Sequence, residues 1–260
     1  MTSDYLPFKV GAVTCLALRD GDDWDRNILL VRTGSQNILV DTGLGADWKP
    51  VPARLAERLA GAGCPPAAID TVVLTHGDWD HTAGAVLASG EPAFPNARYV
   101  LHRREWEFWA GRPERHPPSA VFDEAFRRQA RSLPLTRLTQ LSARVVLLDG
   151  AEAEIAPGVA LIGAPGHTPG HSLVAVESGG EKLLNIADLM VSDTRVFEDP
   201  NWVSIYDFDA EQARSTRRQV LAAAAAEGAL LMGYHPPFPG LGRVSPYGAG
   251  WRWQSIEPEH

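Results

Sequence analysis

The stretch Thr71-Val72-Val73-Leu74-Thr75-His76-Gly77-Asp78-Trp79-Asp80-His81 decides how this chain of 260 residues is read. Its first four residues form a short apolar, β-branched run, the pattern of a buried strand. The six residues from His76 to His81 then deliver two imidazoles and two carboxylates. A zinc or iron ion takes three or four nitrogen and oxygen ligands, and a strand-to-helix turn can aim several of them inward. The plainer reading is a polar turn in which Asp78 or Asp80 caps the following helix.

Three further strand ends argue against the plainer reading. Gly166-His167-Thr168-Pro169-Gly170-His171 follows a strand ending at Ile162, with glycine and proline defining a tight loop around two histidines. Ala187-Asp188 ends the apolar run Leu183 to Ile186, and Tyr234-His235 ends Leu230-Leu231-Met232. A lone His235 would more often be a hydrogen-bonded core residue. Four strand ends, each bringing His or Asp, point to one metal centre.

Strands are expected at 9–18, 27–32, 37–40, 72–74, 98–101, 145–148, 159–162, 172–176, 182–186, 229–232 and 251–253. Helices are expected at 51–62, from the metal motif to about Gly90, and at 210–226. Residues 102–141 have a helical pattern interrupted by Pro113, Pro117-Pro118 and Pro134, and are read as an insertion of helices and loops. Strands mixed with helices in two halves imply an α/β fold of two sheets covered by helices, in a single domain over 1–260.

Composition excludes several classes. With 45% hydrophobic and 22% charged residues, this is an ordinary globular composition. No run approaches the roughly 20 apolar residues of a membrane span. The net charge is −8, and the Arg103-Arg104, Arg127-Arg128 and Arg217-Arg218 pairs are isolated, which argues against nucleic acid. The N-terminus has no basic segment leading into an apolar one, so a cytoplasmic location is expected. Cys15 and Cys64 show no metal-ligand spacing and read as buried thiols.

Taken in order, His76-x-Asp78-x-Asp80-His81, the Gly166 to His171 loop, Asp188 and His235 resemble the metallo-β-lactamase superfamily, and the Asp41-Thr42-Gly43 turn matches it too. The resemblance spans about Val10 to Trp253. Within the superfamily, Ala164 to Ser172, Ala187-Asp188-Leu189 with Phe197 to Pro200, and Phe238 to Gly242 are most similar to the methyl parathion hydrolase and N-acyl-homoserine lactonase branch. The implied fold is the αββα sandwich, two mixed sheets flanked by helices. The implied cofactor is a pair of divalent metal ions, zinc in the first instance. His76, Asp78 and His171 would hold one metal, Asp80, His81 and His235 the other, and Asp188 would bridge them. The resemblance leaves His167 outside the ligand set, as a residue that orients its loop.

One departure stands out: Asp78 occupies the place of the family's second histidine. A carboxylate is harder than an imidazole and adds charge, which keeps iron or manganese open as alternatives to zinc.

The resemblance implies a hydrolase acting on a lactone, ester or phosphotriester. Two cations about 3.5–4 Å apart would share a hydroxide generated near neutral pH. Asp80 would orient that nucleophile and shuttle its proton, with Asp188 as the second catalytic carboxylate. Trp109 would contribute an aromatic substrate wall from the insertion. A small-molecule substrate is the expected partner, with no nucleic acid or membrane and with a homodimer left open. The alternatives are an iron-dependent oxidoreductase or dioxygenase of the same fold, a glyoxalase II-like thioester hydrolase, and a non-catalytic metal-binding sensor.

Overall fold

Leu16, Leu18, Ile28, Leu30 and Leu39 pack on one side of a sheet, while Cys15, Ala17, Leu29, Val31 and Ile38 pack on the other. Strictly alternating side chains on a strand face opposite ways, so two apolar sets bury both faces of this sheet. The computed structural model describes residues 4–21, 25–45, 54–111, 116, 123–190, 197–199 and 201–256.

The first sheet orders β1 (Tyr5–Val10), β2 (Val13–Arg19), β3 (Asn27–Arg32), β4 (Asn37–Val40), β5 (Thr71–Val73), β6 (Arg98–His102) and β7 (Val145–Leu148) side by side. Its first four strands pair antiparallel, and β4 through β7 pair parallel. The second sheet holds β8 (Glu152–Ala156), β9 (Val159–Gly163), β10 (Ser172–Ser178), β11 (Glu181–Ala187), β12 (Leu230–Gly233), β13 (Leu241–Tyr247) and β14 (Gly250–Ser255). Here β11 and β12 are parallel and every other pair is antiparallel.

Between the sheets, Val31, Val40, Val73 and Val100 meet Val159, Leu161, Val174 and Met232. On the outer face of the first sheet lie α1 (Leu55–Gly61), α3 (Arg103–Ala110) and α4 (Glu124–Leu141), through Leu55, Leu59, Trp109, Leu138 and Leu141. On the outer face of the second sheet, α5 (Ala210–Glu227) packs Leu221 and Ala224 against Leu173, Leu184 and Leu231. Asp209 accepts from Gln212 N at the start of α5, and Gly228 ends it at φ 61. Both are standard helix-boundary devices. The result is the expected αββα sandwich of two mixed sheets.

Several boundaries differ from expectation. The single strand expected at 9–18 is a hairpin, β1 and β2, turned at Gly11, whose φ of 55 suits glycine. The helix expected to run to Gly90 is the single turn α2 (Trp79–Thr82) followed by a 3-10 turn over Ala83–Ala85. Helix α4 continues through Pro134, whose buried ring offsets its missing N–H by packing. Strands β8 and β13 lie outside the expected set. The expected start of α1 at Val51, together with Pro113 and Pro117-Pro118, lies outside the described residues. Among the described residues no helix is long and apolar enough to cross a membrane.

Candidate metal centre

The centre sits where parallel strands end. After β4, Asp41 adopts φ 65, and its Oδ1 accepts from Thr75 N at 2.9 Å. Its Oδ2 accepts from His81 Nδ1 at 2.8 Å, which turns His81 Nε2 toward the cluster. The Thr75 hydroxyl also donates to Asp41, and His76 Nδ1 lies 3.1 Å from that hydroxyl. Tyr234 stacks on His81 at 3.8 Å between ring centres and donates its hydroxyl to Asp80 O. Each ring is thus oriented through one nitrogen and leaves the other for a cation.

Asp188 follows β11, on the C-terminal side of Ala187 at φ 43. Its Oδ2 lies 3.6 Å from His167 Nε2 and 4.0 Å from His76 Nε2. Its Oδ1 lies 3.2 Å from His81 Nε2 and 3.5 Å from His235 Nε2. One carboxylate therefore offers an oxygen to each half of the cluster. Three overlapping sets have ligand atoms within 4.8 Å of one another: His76, Asp78 and His167; His76, His81 and Asp188; and Asp80, His81 and His235. His235 Nδ1 donates to Asp25 O at 3.1 Å, and its Nε2 lies 3.5 Å from Asp80 Oδ2.

The donors fit a metal pair. His76 Nε2, His81 Nε2 and Asp188 Oδ1 are buried and have no hydrogen-bond partner among the described residues. Orphaned polar atoms are rare in folded proteins, and three converging on one point is what a cation would satisfy.

The two loop histidines differ in what occupies their ring nitrogens. His171 Nδ1 donates to Ala164 O at 3.0 Å and its Nε2 accepts from Asp188 N at 3.2 Å, so backbone occupies both nitrogens. His167 instead points its Nε2 at Asp78 Oδ2, 3.2 Å away, while its Nδ1 faces Asp207 Oδ1 at 3.4 Å. The structure brings His76, Asp78, Asp80, His81, Asp188 and His235 together and adds His167 to them. It leaves His171 as the bolt between the loop and β11.

Titration follows these contacts. Burial and the neighbouring His81 hold the His76 imidazole well below the usual histidine range. At His81, burial is outweighed by Asp188, Asp41 and Asp80, which hold it well above that range. At His167, burial is likewise outweighed by Asp207 and Asp78, and its pKa rises to about 10. Burial and His167 push His171 down to about 3. At Asp78 burial yields to His116 and His167, which hold it well below the carboxylate range. Burial raises Asp80.

Four residues escaped the sequence reading. Glu105 is fully buried and joins both metal-bearing loops. Its Oε1 accepts from Gly77 N and Trp109 Nε1, each at 2.8 Å, and its Oε2 accepts from the Thr168 hydroxyl at 2.7 Å and Gly170 N at 3.0 Å. Trp109, expected on the substrate wall, is 0% exposed and packs in the core beneath Gly77. The second is His116, whose Nε2 meets Asp78 Oδ1 at 2.6 Å. Tyr206 lines a narrow cleft with Trp79, Asp80, His167, Asp188 and His235. Asp207, which faces His167, is held by Ser204 N at 2.8 Å. The i, i+4 spacing of Glu105 and Trp109 was a usable signal; the others had none.

The chain is similar to several known proteins. Residues 21–235 match the metallo-beta-lactamase superfamily model, and the chain belongs to that superfamily. It is 28% identical over 193 residues to a probable metallo-hydrolase of Mycobacterium bovis, an alignment covering 62% of this chain and 56% of that protein. The chain thus spans little more than half the length of that relative. It is 26% identical to an N-acyl homoserine lactonase of Bacillus cereus, over 74% of this chain and 73% of the relative. Among solved structures, the dizinc quorum-quenching lactonase AidC, in complex with a product, superposes with a TM-score of 0.89 at 26% identity, covering 99% of each chain. The hydrolase AbOPH shares the fold at a TM-score of 0.88 and 24% identity, covering 100% of each chain.

Proposed function

We propose that this chain is a dinuclear metal-dependent hydrolase that opens the lactone ring of N-acyl homoserine lactones. The observation that carries the reading is Asp188, which divides its two oxygens between two histidine-bearing half-sites. Full-length similarity to a dizinc lactonase supports the substrate class. His76, Asp78 and His167 would hold the first metal, Asp80, His81 and His235 the second, with Asp188 shared.

When bound, such a pair lowers the pKa of water toward roughly 7 and polarises a carbonyl. The protein's own groups do the rest. Asp80 is buried at the second position, and burial biases its carboxyl toward taking up a proton, as a shuttle between nucleophile and leaving oxygen requires. Tyr206 faces the same cleft. Burial and then Asp80, Asp188 and Asp78 raise its phenol, so its O–H stays protonated and can donate to an oxyanion. Val203, Ile205 and Phe208 flank Tyr206 with exposed apolar surface, a surface on which an acyl chain would lie. Trp109 supports this site from beneath.

Elemental analysis coupled to hydrolysis assays tests the reading. Two zinc ions per chain, with N-acyl homoserine lactones turned over faster than thioesters or phosphotriesters, is the expected result. One iron per chain with oxygen consumption would overturn it, and preferred turnover of thioesters or phosphotriesters would reassign the substrate.

A further inference from the structure

His116 and Asp78 form a short polar contact at the edge of the candidate centre, 2.6 Å between Nε2 and Oδ1. His116 comes from the segment between α3 and α4 and is 0% exposed; Asp78 is 3% exposed. The imidazole stands edge-on to Trp109 and Phe108, with ring centres 5.3 and 5.7 Å away, and is tilted against Phe208 at 6.5 Å. Its Nδ1 is buried without a hydrogen-bond partner among the described residues. The ring is therefore held by apolar contacts and by one polar bond, to Asp78.

That bond divides the Asp78 carboxylate. Oδ1 is held by the ring N–H, while Oδ2 faces His167 Nε2 at 3.2 Å and His76 Nε2 at 3.7 Å. An aspartate is shorter than a histidine and has two equivalent oxygens, so on its own it can swing or chelate through both. In many metal sites an imidazole ligates and a carboxylate behind it orients the ring. Here the order is inverted: the carboxylate faces the site and the imidazole stands behind it.

We propose that His116 is a positioning residue for the first metal position, fixing Asp78 as a one-oxygen ligand through Oδ2. The segment between α3 and α4 thereby returns to this half-site, one residue further out, the imidazole that Asp78 replaces. The proposal rests on the reading that Asp78 ligates a metal.

The test is zinc binding by the purified, metal-stripped chain, measured by equilibrium dialysis and calorimetry with zinc alone. Glutamine can place its amide nitrogen where Nε2 lies; asparagine is too short. His116→Asn should weaken one of the two zinc positions by about 10- to 100-fold, the usual cost of losing an orienting partner, and spare the other. His116→Gln should bind zinc like the unaltered chain. In an Asp78→His background, His116→Asn should cost nothing, because the carboxylate it orients is gone.

Equal affinities for His116→Asn and the unaltered chain would overturn the proposal. So would a loss that persists in the Asp78→His background, or one shared by both positions. If His116→Asn fails to fold, the double variant decides: a folded, zinc-binding Asp78→His/His116→Asn chain supports the proposal, and an unfolded one assigns His116 to packing. Failure of the unaltered chain to bind two zinc ions would instead overturn the dinuclear reading on which the proposal stands.

Discussion

The indole Nε1 of Trp109 donates to Glu105 Oε1 at 2.8 Å, from a ring with no exposed surface. The two residues stand four apart on α3, so both point down the same face of the helix. Through Glu105, that face grips Gly77 on one metal-bearing loop and Thr168 and Gly170 on the other.

Trp109→Phe keeps an aromatic ring and removes the N–H, leaving the buried Glu105 carboxylate one donor short. A stability loss of about 1–3 kcal/mol is expected, the cost of an unsatisfied buried group. Urea unfolding checks it. The Michaelis constants for short- and long-chain lactones should change together; a selective rise for long chains would return Trp109 to the substrate wall.

Gly77 and Gly170 are needed for close approach. A Cβ on Gly77 would lie 1.9 Å from Trp109 Nε1, and one on Gly170 would lie 2.2 Å from the Glu105 backbone nitrogen. Both alanine variants should be destabilised by at least the usual overpacking cost of about 1–3 kcal/mol. Gly170→Ala should be the worse, since backbone yields less readily than a side chain. Thermal midpoints would rank them; a neutral Gly170→Ala would show that the loop and α3 are not in contact.

His167→Ala should lower zinc stoichiometry toward one per chain, because it removes a nitrogen facing Asp78 and Asp188. His171→Ala should lower stability first, by unpinning Ala164 O and Asp188 N. Mass spectrometry of the native holoprotein distinguishes them. Retained stoichiometry in His167→Ala with loss in His171→Ala would restore the assignment implied by the family pattern.

That loop shows where sequence legibility ends. His167 and His171 carry equal weight in the loop Gly166 to His171, and what separates them is which ring nitrogens the backbone has consumed. The continuous apolar runs of β3 and β4 were readable to the residue because both faces of their sheet are buried or half-buried. Strand β13 was not. It contains Pro246, tolerated because β12 pairs only with Leu241 and Gly242 and leaves that end free of a second ladder. His76, Asp78, Asp80 and His81 were legible by sheer density. His116 was a lone histidine among prolines, and its importance depends on a contact 38 residues away in sequence.

Asp41→Asn tests the scaffold behind the metals. The substitution weakens the anchor of His81 Nδ1, now 2.8 Å from Asp41 Oδ2, without touching a proposed ligand. Zinc affinity should fall by about 10- to 100-fold. Competition with a zinc chelator would measure it, and unchanged affinity would mean that Tyr234 stacking alone orients His81.

Both cysteines are free and buried. Burial pushes the Cys15 thiol up to about 12, so its reactive thiolate is scarce at any pH the fold tolerates. Neither Cys15 nor Cys64 should react with maleimide at pH 8 until denaturant is added. Rapid labelling of the native chain would contradict the core packing of β2.

The seven proposed ligands span His76 to His235 and draw on both sheets. During synthesis, the first four donors leave the ribosome long before β11 and β12 exist to face them. Until the second sheet docks, those donors can offer a cation only a loose, incomplete chelate. With these ligands, full loading would be a late event in the life of the nascent chain. It would clamp one sheet to the other after both have formed, so that metal supply governs how firmly the two halves stay closed.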